Sequence, residues 1–134
     1  MIIYTDSLDN ITPNDLQGFF VGWPQPPTSD THLRILQGSY AVVLALNENG
    51  AVVGFITAIS DGVLSATIPL LEVLPEYQHQ GIGGQLVQLM LEKLRHLYAI
   101  DLTCDPDLQS FYGQFGMRPY TAMILRHYER QAGE

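Results

Sequence analysis

Leu71-Glu72-Val73-Leu74-Pro75-Glu76-Tyr77-Gln78-His79-Gln80-Gly81-Ile82-Gly83-Gly84 reads as a strand that passes through a glycine-rich loop into a helix. At a helix start the first four amide N–H groups have no internal partner and the macrodipole is positive, so an anion satisfies both. Gly81, Gly83 and Gly84 carry no side chain where a pyrophosphate would have to approach the backbone. Each charge-assisted hydrogen bond contributes about 1.5 to 3 kcal/mol, so several together hold a pyrophosphate with little help from Lys or Arg. Glycines at a helix start also serve tight turns and close packing, and the residues alone leave both readings open. The stretch has neither the Gly-Lys-Ser/Thr of a P-loop nor the G-x-G-x-x-G of a dinucleotide fold, which removes those two classes.

Upstream, Leu64 to Leu74 is a nearly continuous apolar run of the kind that lies inside a sheet. Pro69 within it demands an edge, a bulge or a neighbour that has splayed away. Before that, AVVLAL (41–46) and AVVGFITAI (51–59) flank Asn47-Glu48-Asn49-Gly50, a β-hairpin with Asn-Gly turn chemistry. Ile2 to Thr5 opens as a strand, and Thr12-Pro13 starts a helix expected to run to about Phe20. Three prolines make 22–27 a rigid loop, after which Thr28 or Ser29 caps a second helix that stops at Gly38. Downstream, Ile82, Leu86, Leu89, Met90, Leu94 and Leu97 recur at helical spacing and predict the longest helix. Tyr98 to Cys104 alternates as a strand, Asp105-Pro106 caps a short helix through about Phe115, and Tyr120 to Tyr128 predicts a closing strand.

With 134 residues and 46% apolar content, the chain is expected to form one domain over residues 1–134. Fourteen acidic residues against six basic ones leave a net charge of −8, which disfavours nucleic acid as a partner and mildly favours a cationic substrate. The single cysteine, Cys104, cannot form an internal disulfide and fits a reducing compartment. No apolar run reaches the roughly 18 residues of a membrane span, and no basic region precedes the short apolar start. The expectation is a cytoplasmic protein with no membrane association.

Gln78-x-x-Gly81-x-Gly83, preceded by Val73-x-Pro75-x-Tyr77, resembles the acyl-CoA signature of GNAT acetyltransferases. Farther on, Asp107-Leu-Gln-Ser-Phe111-Tyr112-Gly-Gln-Phe115-Gly116-Met117 is similar to the later family segment in which a Phe-Tyr pair precedes Gly-Phe, with Met117 in place of the commoner Phe. The order of elements agrees over nearly the whole chain. The resemblance implies an α/β fold with a mixed, splayed central sheet flanked by helices, V-shaped after the strand that ends at Leu74. It implies acetyl-CoA as acyl donor and an amine acceptor; the compact chain and its short helices before the hairpin, which leave little room for a long groove, favour a small molecule over a protein tail. The amides from Gln80 to Gly84, with Ile82 among them, would face the pyrophosphate, and the Val73 and Leu74 backbone would pair with pantetheine. Read by itself, His79 inside the glycine loop either assists the phosphate or is simply an exposed histidine. Only 18 residues follow Gly116, where the family usually places two strands, so either those strands are very short or a neighbouring subunit completes the sheet. A bare edge favours a homodimer.

Amine acylation requires a neutral nucleophile and a protonated leaving thiolate. An alkylamine with a pKa of about 10.4 must lose a proton. Glu72, flanked by apolar residues, is the best placed carboxylate, although alternation sets it opposite Val73 and it can equally serve a structural bond. Asp61, Asp105 or a water chain are the other candidates. The resemblance gives Tyr112 the role of acid for the leaving thiolate and a place in the cofactor site; the alternative is a core tyrosine beside Phe111 and Phe115. Cys104 reads as a small hydrophobe, Asp105 and Asp107 as helix caps, and Phe19, Phe20 and Trp23 as either acceptor wall or core. His32, His96 and His127 lack ligand spacing, so no metal is expected. A non-catalytic acyl-CoA-binding regulatory module is the competing function, and a purely structural unit is opposed by the intact glycines.

Overall fold

A computed structural model describes residues 1–134. Its centre is a five-stranded mixed sheet in the order β1-β2-β3-β4-β5, formed by Ile3–Thr5, Ala41–Leu46, Val52–Ser60, Ser65–Val73 and Ala99–Asp101. All neighbours are antiparallel except β4 and β5, which run parallel. Three helices flank it: α1 (Ser29–Gly38), α2 (Ile82–Lys93) and the short α3 (Gln109–Gly113). The expected mixed sheet with flanking helices is therefore what forms.

Alternation, reset within β3 by the register break opposite Ala45 and Leu46, divides the strands between two cores. Val43 and Ala45 of β2, with Val53 and Ile56 of β3, join Ile82, Leu86, Val87 and Met90 of α2 on one face. Val42, Leu44, Val52 and Phe55 meet Leu16, Phe19, Phe20 and Leu36 on the other. Gly54 lets α2 approach, because a Cβ there would stand 3.2 Å from the Leu86 side chain. No helix is long and apolar enough to cross a membrane.

Pro69 falls where β4 breaks its regular pairing. Thr57 opposes Leu70 and Ile59 opposes Thr67, so Ala58 alone faces both Ile68 and Pro69: a β-bulge. An extra residue inverts the alternation of everything after it. Ala66 and Ile68 point into the α2 core before the bulge, Leu71 and Val73 do so after it, and Leu70 turns to the opposite face, while Leu74 at the strand end touches both cores. β5 follows β4 only from Ser65 to Thr67, so beyond the bulge the sheet is open on that side. This is the V expected from Pro69 and from the family resemblance.

Four local expectations change. The helix from Pro13 shortens to a 3-10 turn at Pro13–Leu16, although Thr12 and Asp15 form the capping box, with the Thr12 N–H donating to Asp15 at 2.9 Å. Tertiary contacts win there: Gly18 and Phe20 adopt left-handed backbone, and the N–H groups of Phe20 and Val21 bond to Glu72. Helix α2 ends at Lys93, with Leu94 and Leu97 buried in the turns that follow. β5 keeps only three residues, because β4 curls away from it. Tyr120 to Tyr128 is not a strand; a 3-10 turn at Tyr128–Arg130 follows a segment that makes no ladder, since no strand of the chain lies alongside it.

Candidate active site

The β4–α2 connection builds the site. A 3-10 turn at Pro75–Tyr77 reverses the chain, and the Gln78 side chain donates to the Val73 carbonyl at 3.0 Å, tying the loop to the end of β4. Tyr77 is braced by Asn47 of the hairpin turn at 3.4 Å, and Gln80 donates back to the Glu76 carbonyl at 3.4 Å. His79 and Gly81 both take left-handed backbone, with φ 63° and 84°. Left-handed residues among ordinary ones curl successive N–H groups toward a common centre, an anion-binding nest.

None of the N–H groups from His79 through Gly84 donates to an acceptor within the fold; the first amide of α2 to do so is Gln85, to Gly81 at 3.1 Å. The loop residues His79 to Gly81 are exposed. Nothing lies within 4 Å of the place a Gly81 Cβ would occupy, and Cβ atoms on Gly83 and Gly84 would make only ordinary contacts, at 3.8 Å and 3.6 Å or more. The fold therefore does not need glycine at 83 or 84, where it costs helix stability of about 1 kcal/mol relative to alanine. A ligand that must touch the backbone would account for them.

The backbone edge that faces the open V is narrower than the sequence suggested. Leu74 donates to Val53 at 2.8 Å and accepts from Tyr77 at 2.9 Å, so both of its backbone groups are taken. Alternation instead turns the backbone of Leu71 and Val73 toward the opening, with the Val73 carbonyl shared with Gln78. Leu74 contributes its side chain, which lies 3.4 Å from the Cβ position of Gly18.

Glu72 lies on the face of β4 that the bulge turned toward the N-terminal half. One oxygen accepts from Phe20 N–H at 2.9 Å and the other from Val21 N–H at 3.2 Å, which pins the loop before Trp23 to the strand. Phe19 and Phe20 are core residues, and half-exposed Trp23 packs against Phe20 with ring centroids 4.9 Å apart. Beneath them lies a residue whose importance the sequence hid. His32 of α1 is 1% exposed, enclosed by Phe19, Phe20 and Phe55 at 4.4 to 5.3 Å, and neither ring nitrogen has a hydrogen-bond partner. Burial pulls its pKa from 6.5 to about 4, so it is neutral at physiological pH. It borders a cavity of about 180 Å³ between the Gly18–Phe20 loop and Pro26–Ser29. Its place four residues before Leu36, on the same face of α1, is the sequence signal for an inward-facing position.

Across the opening stands α3. The Phe111 ring reaches Gly83 and the Phe115 ring reaches Gly84, so α3 rests on the first turn of α2. Tyr112 is half-buried beside Phe111, ring centroids 5.0 Å apart, and its hydroxyl bonds to no protein group. Burial pushes its phenol above the usual value, with a smaller contribution from the nearby Cys104 thiol, so it keeps its proton through neutral pH. The remaining candidates lie elsewhere or do other work. Asp61 sits in the turn before β4 and accepts from Val63, Leu64 and Ser65, bonds that hold its carboxyl below the usual range and make it a poor base. Asp105 precedes the 3-10 turn at Pro106–Leu108 without a side-chain cap bond, which corrects the capping expectation, and it is exposed, as is Asp107.

The chain is similar to known proteins over most of its length. Residues 8–117 match the model of the Acetyltransferase (GNAT) family. An uncharacterized N-acetyltransferase, ycf52, of Pyropia yezoensis is 30% identical over 120 residues, 85% of this chain and 69% of its own length. A provisionally assigned acetyltransferase from Deinococcus radiodurans R1 superposes with TM-score 0.96 at 45% identity, covering 98% of this chain and 92% of that one. A GNAT family acetyltransferase from Streptococcus pneumoniae gives TM-score 0.77 at 29% identity, covering 95% and 98%.

Proposed function

Because the chain belongs to the GNAT family of acetyltransferases, we propose that it transfers an acetyl group from acetyl-CoA to the amine of a small molecule by direct attack. The observation that carries this reading is the unbroken run of unpartnered N–H groups from His79 to Gly84 at the mouth of an open V. These donors, with Gln78 fixing the loop, would hold the pyrophosphate. The Leu71 and Val73 backbone would pair with the pantetheine arm. Bound acetyl-CoA supplies an activated thioester, and the residues around it do the rest.

Much of the rate comes from position, since holding two reactants together in a productive geometry can be worth about 7 to 11 kcal/mol. Glu72 pins the Phe20–Val21 loop, which borders the acceptor side, and each of its oxygens keeps a lone pair after that bond. We assign the amine proton to one of these, directly or through water. Tyr112, protonated and without a protein partner, donates to the departing thiolate. The net charge of −8 agrees with an amine rather than an anionic acceptor.

The test is release of free thiol from acetyl-CoA over a panel of amino acids, polyamines, aminoglycosides and a lysine-containing peptide. Turnover with a small amine and not with the peptide is the expected result. Binding of acetyl-CoA without turnover on any amine would favour the regulatory module instead.

A further inference from the structure

His32 has more polar capacity than the fold uses. Three buried side-chain polar atoms bond to no protein group, and two of them are Nδ1 and Nε2 of this one ring. Buried polar groups ordinarily find partners, and a neutral imidazole has both a donor and an acceptor to satisfy. Leucine would fill the space beside Phe19, Phe20 and Phe55 without that cost. The ring also borders the cavity of about 180 Å³, which no residue of β4, of 78–84 or of α3 lines. That cavity is therefore separate from the open V.

The lining restricts what can enter. No charged side chain borders the cavity, and His32 is neutral at physiological pH, so an ion would leave water for walls that cannot neutralise it. The start of α1 does not change this for an anion. Thr28 already accepts the Thr31 N–H at 3.2 Å and the His32 N–H at 2.8 Å, and Asp30 adds a negative charge to the first turn. Phe19, Phe20, Pro26 and Pro27 supply apolar walls. A cavity of about 150 Å³ holds benzene, so this one has room for a single ring and a small substituent. A hydroxyl on that ring suits either tautomer of His32, because it both donates and accepts.

We propose that this cavity is a second binding site, for a neutral phenol-like molecule of one aromatic ring whose hydroxyl bonds to His32. Phe20 links it to the first site. Its ring packs on His32 at 4.9 Å, its N–H donates to Glu72 at 2.9 Å, and its backbone is left-handed, with φ 63°. A bulky residue keeps that conformation only when its surroundings hold it. A ligand seated against Phe20 steadies the loop that Glu72 clamps, and by linkage a loosened clamp weakens the ligand.

The experiment titrates phenol into the full chain without acetyl-CoA, so its outcome stands apart from that of the acetyl-transfer assay. Calorimetry gives the affinity, and long-range ¹H–¹⁵N spectra follow the His32 ring. Saturable binding that shifts a His32 nitrogen is expected. Toluene, of the same shape without the hydroxyl, should bind about tenfold more weakly, and benzoate should not bind. His32→Leu should lose about the same tenfold and no longer distinguish phenol from toluene. Glu72→Gln should weaken phenol several-fold. No saturable phenol binding overturns the proposal, as does phenol affinity kept in His32→Leu. Toluene equal to phenol overturns the hydrogen bond to His32, and benzoate equal to phenol overturns the neutral class. Unchanged binding in Glu72→Gln overturns the link through Phe20. If His32→Leu fails to fold, the parent spectra decide: a His32 ring unmoved at phenol saturation overturns the site.

Discussion

His32 makes stability depend on acid in a way that can be calculated. The unfolded chain takes up a proton at this imidazole near pH 6.5, whereas the fold refuses it until about pH 4. The unfolded state therefore binds more protons throughout that window, so stability is complete above it and falls as pH drops through it. At about 1.4 kcal/mol per pH unit the full loss is roughly 3 kcal/mol, of which about 2 kcal/mol is gone by about pH 5. That is a large share of the about 5 to 15 kcal/mol that stabilises a typical domain. The imidazole touches aromatic rings and no carboxylate, so nothing offsets the cost. Asp6 and Asp61, whose carboxyls are also held low, lose their contribution only at lower pH. Urea unfolding followed by Trp23 fluorescence at about pH 7.5 and about pH 5 reads the difference directly. In His32→Leu, which removes both unpartnered nitrogens without a large change of volume, the difference should shrink to a fraction of its parent value while stability at the higher pH holds or rises. An equal acid loss in parent and variant would refute the reasoning.

Gly83→Ala should raise the stability of the free protein by up to about 1 kcal/mol, since the fold has room for the methyl group, yet abolish the thermal shift produced by acetyl-CoA. Scanning fluorimetry with and without the ligand checks both, and an undiminished shift would remove the cradle assignment. Tyr112→Phe should slow thiol release by about 10²- to 10⁴-fold with acetyl-CoA affinity kept; parental turnover in steady-state kinetics would take Tyr112 out of the mechanism. Glu72→Gln turns one acceptor into a donor facing the N–H of Phe20 or Val21, so it should cost about 1 to 3 kcal/mol in urea unfolding as well as turnover. Unchanged stability would contradict the clamp.

The strands and helices that carry strong periodicity were legible because local pattern and tertiary packing agree in them. The hairpin around Asn47–Gly50, α1 after its Thr28 cap, and the loop into α2 all form where the residues place them. The misses share one cause. Pro13 opens a turn that should propagate, but Glu72, 52 residues from Phe20, bonds the backbone that a longer helix would have used. Leu74 lies on an apolar strand end, yet hydrogen bonds to Val53 and Tyr77 decide its availability, and neither is local. His32 resembles any polar residue of an amphipathic helix until the rings of Phe19, Phe20 and Phe55 close around it. Tyr120 to Tyr128 has the alternation of a strand, but alternation describes a willingness to pair and cannot supply the partner.

Pro69 connects these observations. A proline in the middle of β4 forbids one ladder bond, and the bulge opposite Ala58 is the structural answer. Because a bulge inverts the faces beyond it, the same residue that ends regular pairing also sends Glu72 toward the Phe20–Val21 loop and Val73 toward α2. Without the extra residue Glu72 would point into the α2 core, a buried carboxylate with no partner, and the acceptor-side loop would lose its anchor. β5 parts from β4 at Thr67, two residues before Pro69, so the opening of the V and the redirection of Glu72 occur at one place. The cleft and the carboxylate beside it are thus two consequences of a single break in alternation, which is why a substitution at Pro69 that restored regular pairing would disturb both together.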